Sequence, residues 1–121
     1  MALEEFYSSV SGNLEEVRGH LLNDERVEKF VRMFFDDPVY TQLTTAMDSD
    51  DLQTAFRAAH TMKGLAIGMG FTKLYDDSSA LTEALRPNDA GEPSNPDQVQ
   101  PLYDTVKDDY ALLNTAFEQN F

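Results

Sequence analysis

The sequence predicts an all-α protein: an antiparallel four-helix bundle with an additional helix or helices at its N-terminal side. Three observations carry this. Apolar residues recur at three- and four-residue steps nearly everywhere, with no sustained alternation of the strand type. The breaks between these segments are mostly short, which favours antiparallel neighbours. The chain has 121 residues, 41% hydrophobic and 26% charged, enough for one domain over 1–121 with a real core and hardly enough for two.

The elements follow in order. Leu3, Phe6, Tyr7 and Val10 mark a first short helix, interrupted by Ser11, Gly12 and Asn13. A brief helical turn follows through Leu14 and Val17. Asn23 or Asp24 caps the next segment, which places Val27, Phe30, Val31, Phe34 and Phe35 on one face. Phe34 and Phe35 are adjacent, so they cannot both point at one core centre; one is a candidate for the rim. Asp37-Pro38 ends this helix, because proline disfavours helical backbone in the residue before it. Tyr40, Leu43, Thr44 and Met47 form a shorter amphipathic helix. The Asp48–Asp51 cluster is a turn whose carboxylates suit the positive end of the helix that follows.

That helix spans about Leu52 to Met69, with Gly70 as its C-terminal stop. Another spans Thr72 to Leu85, with Leu74, Ser78, Leu81 and Leu85 inward. Residues 86–96, RPNDAGEPSNP, form the one long loop. The last helix carries Leu102, Val106, Tyr110, Leu113 and Phe117, with Pro101 near its start as a first-turn residue or a mild kink.

Composition excludes several classes of function. Nine basic against 22 acidic residues give a net charge of −13, which repels nucleic acid and anionic membrane surfaces. No apolar run reaches the roughly 18 residues that span a bilayer, and the N-terminus lacks a secretory pattern. There are no cysteines, hence no disulfide or thiolate chemistry, which fits a cytoplasmic protein. His20 reads as solvated. It lies far from His60, and no His-x-x-His or Glu-x-x-His pair exists, so no metal site is expected. The acidic groups at Asp48–Asp51 and at Asp104, Asp108 and Asp109 lack EF-hand order and read as caps and solvated faces.

The chemistry concentrates in AHTMKG, residues 59–64. A helical wheel gathers Leu52, Ala55, Ala59, Met62, Ala66 and Met69 into a core stripe. His60 then falls about 100° or more from its centre and faces outward. Phe56, Lys63, Gly64 and Ile67 fall within about 60° of the histidine. A neutral imidazole nitrogen is a good nucleophile near neutral pH. A phosphoryl group placed on it brings negative charge, which Lys63 one turn along can compensate. Gly64 costs roughly 1 kcal/mol against alanine in a helix, but it leaves a clearing beside the ring. Phe56 and Ile67 offer an apolar ledge for docking. The stretch supplies no acid or metal cage of its own, which suits a substrate of other active sites.

The stretch FRAAHTMKGLAIGMGFTKL, residues 56–74, resembles the signature of histidine-containing phosphotransfer domains. His60, Lys63, Gly64, Gly70 and Leu74 stand at that family's spacing. Leu65 and Gly68 depart from the polar residues common at those two positions. The resemblance implies a four-helix bundle displaying a phosphorylatable histidine. It implies His60 as phospho-acceptor, Lys63 as charge partner and Gly64 as the access point, with Gly70 ending the helix. The partners implied are a response-regulator receiver domain, a histidine kinase, or both. No cofactor of its own is implied; the Mg²⁺ belongs to the partner's aspartate pocket. Transfer between histidine and aspartate is reversible in this family.

Two other readings follow from the same residues. One is a helical adaptor or inhibitor that binds a receiver or kinase without being phosphorylated. The other is a detached phosphotransfer module of a larger histidine kinase. A start at Met1 and a final complete amphipathic helix favour a stand-alone protein, most simply a monomer.

Overall fold

Helix boundaries fall where capping chemistry puts them. The computed structural model describes residues 2–121. They form α1 (Ala2–Ser9), α2 (Leu14–Leu21), α3 (Asp24–Asp36), α4 (Val39–Asp48), α5 (Leu52–Gly68), α6 (Thr72–Leu85) and α7 (Pro96–Asn120). The Asn13 side chain accepts from the Glu16 N–H at 3.2 Å, and Asn23 from Arg26 at 2.9 Å. Each thereby satisfies a helix-end donor that has no partner within the helix. Asp51 caps α5, accepting from the Thr54 N–H at 3.2 Å and its hydroxyl at 2.7 Å.

The second element is longer than the brief turn expected. Arg18 explains the extension, because it reaches Asp24 at 2.8 Å and Glu4 at 3.1 Å. One guanidinium thus ties α1, α2 and the start of α3 together.

The bundle is α4 to α7. Each packs on its sequence neighbour, and Tyr40 of α4 closes the ring by stacking on Tyr110 of α7, centroids 3.8 Å apart. The inner face of α5 is mostly alanine: Ala55, Ala58, Ala59 and Ala66 are buried with Met62. Small side chains let α4 and α6 approach closely, so α5 runs as a thin central element with its outer face in solvent. Helix α1 packs on α7 through an aromatic cluster in which Phe6 meets Phe71 and Phe121 edge-on.

The end of α5 is fixed by backbone geometry. Gly70 has φ +69. Its N–H bonds to the Ile67 carbonyl at 3.2 Å, while the Phe71 N–H bonds to Ala66 at 2.9 Å, the paired arrangement of a Schellman stop. The Gly70 carbonyl accepts from the Asn13 N–H at 2.8 Å, and Tyr7 donates to the Met69 carbonyl at 2.7 Å. The α1–α2 turn is therefore clamped to the end of α5.

One expectation for α3 changes. Phe30 is 39% exposed rather than inward, because α3 buries a narrower line of Val27, Val31 and Phe34. Phe34 is buried, and Phe35 stacks on Phe117 at 4.4 Å. Pro101 sits inside α7, which already starts at Pro96.

Asp109 is buried, not solvated. Lys73 compensates it at 3.1 Å and holds Asp77 at 2.9 Å. Burial pushes the Asp109 carboxyl up to about 7, and the hydrogen bond to Asp77 adds to this. Burial also pushes Asp77 up, yet bonds from Asp109 and Lys73 hold it below the usual range. Below about 7 the proton of the pair resides on Asp109. It gives the otherwise unpartnered Oδ2 of that carboxylate an acceptor in Asp77.

Candidate functional site

His60 lies at the middle of α5, exposed, on the face away from the alanine stripe. Its ring meets Phe56 one turn earlier, with centroids 6.4 Å apart at 57°. Lys63 is half-buried one turn later. The ion pairs among the described residues engage Arg18, Lys73, Arg86 and Lys107, which leaves the Lys63 ammonium uncommitted. A Cβ built on Gly64 meets nothing within 4 Å, and the same holds at Gly68. Neither glycine is required by a neighbouring helix. The two stand four apart and open a bare strip along α5.

The strip is the wall of a groove. Leu21, Phe30, Met33, Phe34 and Asp37 line its other side, with Leu65 and Met69 beside the glycines. Met33 is 51% exposed. The sequence reading missed Leu21, Phe30 and Met33 as site neighbours. The available signal was the apolar arc on α3, wider than one core contact line can cover. Ile67, on the same face as His60, is 42% exposed. Phe56 is half-buried and is not a bare ledge, because the Arg86 guanidinium lies 5.1 Å from its ring centroid. His20 is exposed on α2. Among the described residues no cluster of acidic or histidine side chains could hold a metal ion.

Arg86 also pairs with Glu83 at 2.7 Å. The Glu83 carboxyl is held below its usual range, first by Arg86 and in smaller part by the charges of Lys63 and His60. This pair belongs to the site's surroundings, and the sequence reading had placed Arg86 only at the start of a loop.

The arrangement offers one exposed imidazole, one free ammonium a turn away and an open approach over glycine. It can accept and hold an anionic group without enclosing it. No helix among the described residues is long and apolar enough to cross a membrane.

Comparison with curated proteins gave no match, and neither did comparison with solved structures. Comparison with protein families matched residues 2–119 to the Hpt domain, whose members are helical bundles that carry phosphoryl groups on histidine in phosphorelays. With nearly every residue inside that match, in a chain of helices throughout, the protein belongs to the Hpt domain family.

Proposed function

We propose that this chain is a phosphoryl carrier of a multistep phosphorelay, with His60 as the residue that is phosphorylated. The observation that carries the reading is the exposed His60 ring beside an uncommitted Lys63 and an empty Gly64. A ring nitrogen attacks the phosphorus of a partner's aspartyl phosphate or of a histidine kinase's phosphohistidine. The N–P bond forms as the partner's O–P or N–P bond breaks, and the leaving atom keeps the electron pair. The reverse step returns the phosphoryl group to a receiver aspartate. Each transfer needs the partner's side chain in line with the ring, and Gly64 keeps that line open.

Lys63 supplies positive charge to the transferring oxygens. An exposed pair of this kind is worth about 0.2–1 kcal/mol in water. It is worth more in the transfer complex, where docking excludes water. The chain brings no cofactor, and Mg²⁺ enters with the receiver's aspartate pocket. Docking falls on the apolar surface around the histidine: Phe56, Ile67 and the Phe30–Met33 side of the groove. We place the protein in the cytoplasm as a monomer.

The test is a transfer profile. The purified chain is mixed with each ³²P-labelled receiver and each histidine kinase of its source. Acid-labile, base-stable label that is absent from His60→Gln supports the reading. Tight binding of a receiver with no label on the chain would replace it with a non-phosphorylated adaptor.

A further inference from the structure

Helices α5 and α6 run antiparallel, and one contact sets their register. Arg86 lies over Phe56, 5.1 Å from the ring centroid, so these residues stand level. One turn further along α5 is His60. One turn back along α6 is Glu83. Both helices rise about 1.5 Å per residue, so Glu83 on α6 stands within about one residue's rise of His60 on α5. Its carboxyl responds to the charges of both His60 and Lys63. The site therefore presents an anion to the position where a phosphoryl dianion forms. The guanidinium that α6 brings to this side of the site is engaged by that same anion, with Arg86 Nη2 at 2.7 Å from Glu83 Oε2.

This combination is unexpected for a site whose purpose is to hold phosphate. A cation alone in that place would stabilise the phosphorylated form. An anion that also occupies the cation does the reverse. We propose that Glu83 opposes the phosphoryl group on His60 and keeps Arg86 from it, so that phospho-His60 is biased toward giving its phosphoryl group to a receiver aspartate. The inference rests on His60 being the phospho-acceptor and adds the direction in which the site is tuned. In the donating step the N–P bond breaks, the imidazole nitrogen keeps the electron pair, and the aspartate oxygen forms the new O–P bond. The repulsion between Glu83 and the dianion is relieved as the group departs.

The test uses the full chain and a purified receiver that exchanges phosphoryl with the wild type in Mg²⁺. The equilibrium ratio of phospho-His60 to phospho-receiver is measured, which docking rates do not alter. Glu83→Gln should raise the ratio about threefold to tenfold, the size of a single charge acting at partial exposure. Glu83→Lys should raise it further. Arg86→Ala, which leaves Glu83 unneutralised, should lower it. A ³¹P titration of the phosphorylated chain gives a second readout: the phosphoryl group of Glu83→Gln should take up its second proton at lower pH than the wild type.

An ordinary surface pair would leave both readouts unmoved. An unchanged or lowered ratio in Glu83→Gln, with the wild type labelled normally, overturns the proposal and leaves the carrier reading standing. A wild-type chain that takes no label on His60 from any donor overturns both.

Discussion

Replacing Gly64 by glutamine separates access from architecture. In a helix the change should be favourable, because glycine is among the poorest helix formers and glutamine one of the better ones. The gain is about 0.5 kcal/mol. Nothing offsets it, since a Cβ at this position meets no atom within 4 Å. For a chain of this length, that gain raises the melting temperature by about 2 °C. The same side chain stands one turn from His60, where the partner's aspartate must approach in line. A displacement of about 1 Å from in-line geometry can cost a hundredfold in rate, so transfer should fall at least about tenfold. The assay pairs thermal melting by circular dichroism with single-turnover transfer from a phosphorylated receiver. Stability should rise while the rate falls. If both fall together, Gly64 serves packing and the access argument is refuted.

Four further outcomes are expected. Lys63→Ala should slow single-turnover transfer at saturating receiver while changing the dissociation constant little; an effect confined to the dissociation constant would make the lysine a docking residue. Ile67→Ala and Phe56→Ala should weaken receiver binding, read by titration calorimetry, with near-normal transfer at saturation. Gly70→Ala should destabilise the fold by about 2–4 kcal/mol in urea unfolding, since its Cβ would lie 2.6 Å from the Asn13 carbonyl oxygen at φ +69; a loss under about 1 kcal/mol would show that the α1–α2 clamp yields easily. Asp109 titrates at about 7 when folded against 3.8 ordinarily, so the folded chain binds the extra proton and stability contributed by this group falls as pH rises between those values. Asp109→Asn should flatten that slope in urea midpoints taken across the range, and an unchanged slope would place the proton elsewhere.

Much of this was legible in the sequence. α6 runs from Thr72 to Leu85 as its apolar period and flanking breakers indicate, and Asn23 and Asp51 start helices and Gly70 ends one as their side chains or lack of one dictate. The outward aspect of His60 was legible too, because a 3.6-residue period fixes angles within a single helix. What the wheel cannot give is what stands opposite. Phe30 was misplaced because periodicity names an apolar face without saying how wide a strip the neighbour covers. Asp109 was misread because its cation, Lys73, comes from another helix. Arg86 escaped notice for the same reason: its contact with Phe56 depends on the α5–α6 register, which only the packed structure sets.

The central claim is that His60 carries the phosphoryl group, and the most direct measurement is site mapping of the phosphorylated chain. The protein is labelled by a phosphorylated receiver, kept at alkaline pH, digested and sequenced by mass spectrometry. The account predicts one phosphorylated residue, His60, and no phosphate on His20. It also predicts that His60→Gln shows an unchanged helical spectrum and no label. Phosphate on another residue, or undiminished label on His60→Gln, would contradict it.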